Sequence, residues 1–351
     1  AAGEARRVPG CDVRGAATLA DAVQVALGLS AGTVIEPVPA QPSTGGAELA
    51  DVRGQLVARR ALEVAAAGGH HLLMFGPPGA GKTMLAATLP SLLPPLTEEE
   101  GLEVALVWGA AGLPRNGSLT PPFRSPHHTA TVAAMVGGGS GLPSPGEVST
   151  AHNGVLFLDE LGEVPVRLLD ALRQPIEDGS ITIARRGHTV RFPSRFQLVA
   201  ATNPCPCGFE GDRLVGCECS ETAKRRYRSR FSGPLLDRID LRVRVERLDH
   251  EEITGPPGED SAGVRARVTA ARAIQNRRGV LNRSLSRRSL DCQPYTAAAS
   301  RLLSLAVDQF ALSARGWDRV RRVARTVADL AGEEHIDEPA VGEALGYRAT
   351  L

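Results

Sequence analysis

The chain has 351 residues, more than one domain of ordinary size, so two or three units are expected. A hydrophobic share of 42% supports packed cores, no apolar run approaches the ~20 residues of a membrane helix, and no stretch has the pattern of a signal peptide, so the expectation is a soluble, cytoplasmic protein with no membrane partner. The balance of 40 Lys and Arg against 39 Asp and Glu points to no partner, while six cysteines, four of them between Cys205 and Cys219, argue against a secreted disulfide scaffold and direct attention to metal.

The chain begins with Ala1 rather than Met, so a fragment of a longer protein is expected. Residues 1–35 carry one short helical pattern, over 19–29. The stretch 36–46, with Pro37, Pro39, Pro42, Gly45 and Gly46, reads as a linker, and 1–48 reads as the tail of a preceding domain. From Leu49 the pattern changes. The spacing predicts a helix over 55–67, ended by Gly68-Gly69, then a strand over 71–75 and a helix over 82–93. A second apolar strand covers 155–158, a helix with Val166, Leu169, Leu172 and Ile176 on one face covers 165–177, and further strands cover 197–202 and 241–245. Strands alternating with helices predict an α/β fold, a mostly parallel sheet flanked by helices, over 49–250. After a Pro/Gly break at 255–263 the pattern is helical over 264–278, 296–311, 314–331 and 339–347, which predicts an all-helical unit over 251–351.

Gly76-Pro77-Pro78-Gly79-Ala80-Gly81-Lys82-Thr83 matches the P-loop pattern G-x-x-x-x-G-K-[ST], with a predicted strand before it and a helix after it. Glycines let backbone N–H groups approach phosphates at a helix N-terminus. Lys82 is suited to the β/γ-phosphates of ATP and Thr83 to Mg²⁺, with Met84 alongside at the nucleotide. The apolar strand ending in Asp159-Glu160 supplies the complementary half. Asp159 can hold Mg²⁺ and Glu160 can polarise the attacking water. Asn203, at the end of the 197–202 strand, can orient that water or be an ordinary turn residue before Pro204.

The order of P-loop, Asp-Glu strand, Thr-Asn strand, Asp237-Arg238-Ile239-Asp240 and helical tail resembles an AAA+ ATPase. The stretches Pro122-Phe123-Arg124-Ser125-Pro126-His127-His128-Thr129, Val136-Gly137-Gly138-Gly139, Pro145-Gly146-Glu147-Val148-Ser149, Ala151-His152-Asn153-Gly154 and Ala200 to Gly208 are similar to the ComM family, the magnesium-chelatase-like AAA+ proteins linked to natural transformation. The resemblance runs from about residue 49 to the end. Residues 1–48 match loosely the end of the Lon-protease-like domain that the family carries in front. The resemblance implies a hexamer, with Asn203 as sensor 1 and Arg238 as an arginine finger reaching a neighbour's γ-phosphate. On the residues alone Arg238 reads as an ion pair with Asp237 or Asp240. Arg315, Arg319 and Arg322, spaced by four and three, share one helix face opposite Val320, Val323, Ala324 and Val327. Arg322 best matches the sensor-2 arginine, with Arg315 next. Gln55 either lies near adenine or starts a helix.

Residues 181–192 read as a hairpin whose turn carries Arg185, Arg186, Gly187 and His188. By resemblance it points into a central pore, where arginines suit phosphate contacts with single-stranded or branched DNA. Gly139, Gly141 and Pro143 mark a second loop within 113–149, matching the helix-2 insert of the clade. Basic runs at 224–230 and 265–288 read either as solvated surface or as nucleic-acid contacts. Cys205, Cys207, Cys217 and Cys219 form C-x-C, nine residues, C-x-C, which suits a structural Zn²⁺ or leaves four free thiols in a loop. Cys11 and Cys292 read as unpaired and inert, and His127 and His128 as packing or loop contacts. The function expected is an ATP-driven DNA motor, a helicase or branch-migration enzyme acting in transformation or recombination. The alternatives are a chelatase-type subunit driving metal insertion and a protein remodeller; the latter usually presents an aromatic where this chain has Arg185-Arg186-Gly187.

Overall fold

The computed structural model describes residues 11–34, 47–115, 117–139, 142–185, 187–231, 233–309 and 312–348, which fall into two compact units. In the first, comprising residues up to 45 together with 95–120, β1 (Arg14–Gly15) pairs antiparallel with β2 (Thr33–Val34) around helix α1 (Leu19–Ala26). α1 starts at a reciprocal cap between Thr18 and Asp21 and is shorter than its sequence pattern. The unit also contains a helix not expected from the sequence, Glu98–Ala110, capped in the same way by Thr97 and Glu100. The linker stretch 36–46 lies outside the described residues.

The second unit holds the rest of the chain. Its elements are α2 (Leu56–Gly68), β3 (Leu72–Phe75), α3 (Lys82–Leu92), β4 (Phe123–Arg124), α4 (Val132–Val136), β5 (Gly137–Gly138), β6 (Ser144–Pro145), β7 (Val155–Leu158), α5 (Val166–Ala171), α6 (Arg173–Asp178), β8 (Ser180–Arg185), β9 (His188–Pro193), β10 (Gln197–Thr202), α7 (Glu221–Arg228) and β11 (Leu241–Arg244), then the helical lid. Five strands form one parallel sheet in the order β11-β3-β10-β7-β4. β3, β7 and β10 are buried along their whole length, as parallel strands covered on both faces must be. Successive side chains serve opposite layers: Leu72, Met74, Val155, Phe157, Val199 and Ala201 pack with α2, α3 and the lid, whereas Leu73, Leu156, Leu158, Leu198 and Ala200 pack on the other face with Leu168, Leu169 and Leu172. Each such Leu or Phe contributes about 1.5–3 kcal/mol of hydrophobic burial.

Two expectations change. The helix predicted over 165–177 is two helices meeting at Leu172, because Pro175 has no N–H to offer the carbonyl of Ala171. The sheet also has a fifth strand, β4, only two residues long.

The lid comprises α8 (Ser261–Arg277), α9 (Ala297–Gln309), α10 (Ala314–Ala331) and α11 (Glu338–Gly346). No helix among the described residues is long and apolar enough to cross a membrane. Much of the basic run at 265–288 ties the lid to the α/β core. Arg267 pairs with Glu63 at 2.5 Å, Arg272 donates to the Ala66 carbonyl at 2.7 Å, and Arg283 donates to that of Phe196 at 3.0 Å.

Beneath this seam His70 bridges Asp240 (3.2 Å) and Thr326 of α10 (2.7 Å), and Arg319 approaches Asp240 at 3.5 Å. Neighbouring His71 accepts the Leu198 N–H through Nδ1 at 2.9 Å. Burial, reinforced by the charge of Arg283, pushes the His71 imidazole down to about 3 from its ordinary 6.5. The unfolded chain therefore takes up this proton first as pH falls. The stability held by neutral His71 is complete above about pH 6.5 and is lost on the way down to about pH 3. The melting temperature is expected to fall across that window, and His71→Asn, whose side-chain oxygen can accept the same N–H, should flatten the fall. An equally steep profile in the variant would remove His71 as the cause.

Candidate active site and metal centre

The C-terminal ends of β3, β7 and β10 lie side by side in the sheet, so the loops that follow them converge. The P-loop runs from β3 into α3. Gly76 is required at its start, since a Cβ there would stand 1.9 Å from the Val245 carbonyl oxygen. Lys82 is buried, and its Nζ donates to the carbonyls of Gly76 and Pro77, both at 2.8 Å, and to Asn203 Oδ1 at 3.3 Å. Burial lowers the Lys82 pKa, and the charge of Asp159 works in the opposite direction. Thr83 donates to Asp159 Oδ2 at 2.7 Å, and Asp159 Oδ1 accepts the Glu160 N–H at 2.9 Å. Lys82, Thr83, Asp159, Glu160 and Asn203 are thus brought together, as the chemistry of a bound Mg-nucleotide requires. Met84 is exposed beside them. Gln55 is the N-cap of α2, with left-handed backbone (φ 50°); its carbonyl accepts the Arg59 N–H at 2.9 Å, and its side chain makes no cap bond but reaches the Ala80 carbonyl at 3.3 Å and that of Glu246 at 2.6 Å through Nε2.

The structure adds a contact that the sequence reading passed over. His128 Nδ1 lies 3.0 Å from Glu160 Oε2, and its ring lies against that of His127, with centroids 4.1 Å apart and planes tilted by 33°. The register explains it: Arg124 of β4 pairs with Leu156 of β7, and His128 and Glu160 each follow four residues later. Recognition of β4 was the missing signal. Glu160 is itself in the left-handed region (φ 49°), uncommon for a non-glycine residue.

Arg238, Arg319, Arg322 and Arg315 have distinct surroundings within the chain. Arg238 forms an ion pair within its own chain, but with Glu177 near the end of α6 rather than with Asp237 or Asp240, because Asp240 is turned inward to His70 and Arg319. Arg319 is buried in that seam and so does not share a free face with Arg315 and Arg322. Arg322 donates to the Leu285 carbonyl at 2.9 Å, Arg315 is exposed in the first turn of α10, and among the described residues neither bonds to the P-loop.

β8 and β9 form the expected hairpin, with Arg185 opposite His188 at the tip. His188 is exposed and Arg186 lies outside the described residues. Ile181, Ile183 and Phe192 anchor the hairpin in the core. The second loop is a small β5–β6 hairpin, with Ser140 and Gly141 outside the described residues and Leu142 exposed. In the basic run of α7, Lys224 and Arg228 are drawn to Glu210 (3.5 and 2.8 Å) and Arg230 to Glu163 (3.3 Å), while Arg225 and Arg226 face solvent.

The four cysteines converge, with their Sγ atoms all within 4.8 Å of one another. Cys205 stands 3.4 Å from Cys207 and 3.6 Å from Cys217, and Cys219 Sγ accepts the Cys207 N–H at 3.4 Å. Thiolates about 2.3 Å from a tetrahedral zinc stand about 3.8 Å apart, so the donor set fits that ion. Burial and the neighbouring thiols push the Cys205 thiol up to about 12, and an N–H bond from Phe209 brings Cys207 down to about 6. Cys11 and Cys292 are exposed.

Comparison with known proteins agrees with this geometry. Residues 48–253 match the family described as magnesium chelatase, subunit ChlI, and residues 258–348 match its C-terminal counterpart. The chain is 46% identical to the uncharacterized protein Rv2897c of Mycobacterium tuberculosis over 361 aligned positions, covering 99% of this chain and 70% of that one. It is 46% identical to competence protein ComM of Haemophilus influenzae over 313 positions, covering 87% of this chain and 60% of ComM, and 45% identical to YifB of Escherichia coli over 311, covering 86% and 60%. The P-loop beside an Asp-Glu strand, the parallel sheet with its helical C-terminal region, and these matches lead to one conclusion: the chain belongs to the ComM/YifB family of magnesium-chelatase-like AAA+ ATPases.

Proposed function

We propose that this chain is the ATP-hydrolysing engine of a homo-hexameric cytoplasmic ring that moves DNA strands, as a helicase or in branch migration. The α/β core over 49–250 would bind the nucleotide, and the lid over 251–351 would close on it. The observation that carries the reading is continuity between the catalytic edge and an arginine-tipped hairpin: β9 ends at Pro193, β10 begins at Gln197, and β10 runs directly to Asn203 at Lys82. A change at the γ-phosphate can therefore reach the hairpin turn at 185–188 along β10 and then β9. The name of the relative ComM, a competence protein, supports DNA as the substrate.

In the hydrolytic step Lys82 leaves the Gly76 and Pro77 carbonyls for the β/γ-phosphates of ATP. Thr83 and Asp159 would hold Mg²⁺, which would neutralise phosphate charge. Glu160 takes a proton from water, whose oxygen attacks the γ-phosphorus as ADP departs, and Asn203 orients that water. Arg238, released from Glu177, stabilises the transferring phosphoryl group in a neighbouring subunit. Arg322 or Arg315 would join the phosphates only after lid movement. The four cysteines would hold a structural Zn²⁺, leaving it no open position for chemistry. The family description keeps a second reading in view, a chelatase-type subunit driving metal insertion through a protein partner. The Arg185-Arg186 tip favours DNA.

The test is ATP turnover and DNA binding with wild type and Arg185→Ala/Arg186→Ala. DNA should stimulate the wild type. The variant should lose that stimulation, and its binding should depend less on salt, by about 0.7–0.9 in log–log slope for each phosphate contact removed. Unchanged DNA binding and equal rates with and without DNA would end the motor reading.

A further inference from the structure

We propose that the four-cysteine knuckle is a working part of the ATP site, holding Asn203 and the P-loop in register, so that metal loading of the knuckle sets the rate of hydrolysis. The last clause rests on the zinc reading above; the mechanical coupling does not.

The path of the chain leaves little slack. Thr202 ends β10, Asn203 touches Lys82, and Cys205 follows two residues later. The first tight turn of the knuckle then folds back onto the nucleotide loop. Gly208 has φ +87° and donates its N–H to the Cys205 carbonyl at 3.0 Å. A Cβ at Gly208 would stand 2.8 Å from Pro78 Cδ and 3.7 Å from Asn203 Cγ. The left-handed backbone and the close approach to Pro78 favour glycine here, and a Cβ would also touch the proposed water-orienting residue.

The rest of the insert is clipped to the other side of the P-loop. Arg244 of β11 donates to the carbonyls of Glu210 (3.2 Å) and Gly211 (2.6 Å), Arg213 pairs with Glu246 at 2.6 Å, and Arg247 approaches Asp212 at 3.5 Å. β10 and β11 are the two neighbours of β3, the strand that feeds the P-loop. The knuckle therefore spans the ends of both strands flanking the nucleotide loop. It has little apolar core of its own, since Leu214 is 79% exposed and Val215 is 37% exposed. A segment of this kind depends on its cysteines for order, and a metal held by them contributes folding free energy locally. A displacement of about 1 Å at a positioned group can cost about 100-fold in rate, so a slack knuckle should appear as lost turnover.

The experiment uses the full chain, with zinc per chain measured by mass spectrometry, proteolysis within 209–215, affinity for a fluorescent ATP analogue, and ATP turnover. Gly208→Ala should keep its zinc and stay folded, with a modest fall in melting temperature from its left-handed backbone, yet lose at least about 10-fold in kcat, because its Cβ displaces Pro78 of the P-loop. Wild-type protein stripped by a chelator should become protease-sensitive within 209–215 and lose turnover by a similar factor. Added zinc should restore both. Gly208→Ala turning over ATP at the wild-type rate would overturn the mechanical coupling. Stripped protein that keeps full turnover would overturn the metal dependence. Wild-type protein that never holds zinc would defeat the zinc reading and with it the metal clause, while the Gly208→Ala arm would still decide the coupling.

Discussion

Lys82→Ala is expected to reduce ATP turnover by at least about 100-fold, equivalent to roughly 3 kcal/mol of transition-state stabilisation, and, on the proposed motor reading, to abolish DNA unwinding. The expectation comes from how the lysine is held. Its ammonium is buried, satisfied by two P-loop carbonyls at 2.8 Å and by Asn203 at 3.3 Å. Those are neutral acceptors, so phosphate oxygens, which carry charge, displace them readily. Removing the ammonium takes away a positive charge aimed at the β/γ-phosphates, and the same change unties Asn203. The loss should therefore appear in kcat as well as in nucleotide affinity. Steady-state phosphate release checks the first part. Unwinding of a four-way DNA junction, with Lys82→Ala as the control, checks the second. A variant that hydrolyses ATP within a few-fold of wild type would mean that another cation serves the phosphates, and Arg315, exposed at the start of α10, would be the first to examine.

The parts of this site legible in the sequence are those set by local rules. The P-loop needs glycine at fixed spacing, β3 and β7 are short apolar runs bounded by turns, and the C-x-C pairs announce their own convergence. The parts that escaped depend on partners distant along the chain. β4 is two residues long and exists only because β7 lies beside it, so no periodicity announces it. Glu177 meets Arg238 across 61 positions, a pairing no spacing argument reaches, whereas Asp237 and Asp240 are the candidates near in sequence. The division of the 165–177 helix was readable from Pro175, but the helical run of Val166, Leu169, Leu172 and Ile176 outweighed it. The basic run at 265–288 reads in the sequence either as solvated surface or as a nucleic-acid contact, because charge is normally solvated or paired with a charged ligand. Arg267, Arg272 and Arg283 instead find Glu63 and backbone carbonyls across the seam between lid and core, which only the tertiary fold supplies, while Arg277, Arg287 and Arg288 are exposed.

Glu160 should separate binding from hydrolysis. Glu160→Gln is expected to retain nucleotide binding within about three-fold while losing about 10²- to 10⁴-fold in turnover, the range for removal of a general base. Asp159 keeps its bond to Thr83 in that variant, so the metal-binding half of the site stays intact. His128 makes the comparison informative. Its Nδ1 occupies Glu160 Oε2 at 3.0 Å, one of the oxygens that would otherwise receive the proton of the attacking water. A base engaged in this way is held back, and the left-handed backbone at Glu160 (φ 49°) maintains the orientation. β8, anchored through Ile183 close to Gly137 of β5, adjoins the segment that follows His128 through α4. Movement at the hairpin, the proposed DNA contact, can thus loosen the pair. His128→Ala is accordingly expected to raise DNA-independent turnover several-fold and to shrink the further gain on adding DNA, while His128→Gln, able to donate to the same carboxylate, should stay nearer to wild type. Phosphate release with and without DNA reads all three proteins together. If His128→Ala instead falls as far as Glu160→Gln, the imidazole belongs to the hydrolytic machinery, and the restraint on Glu160 must come from elsewhere.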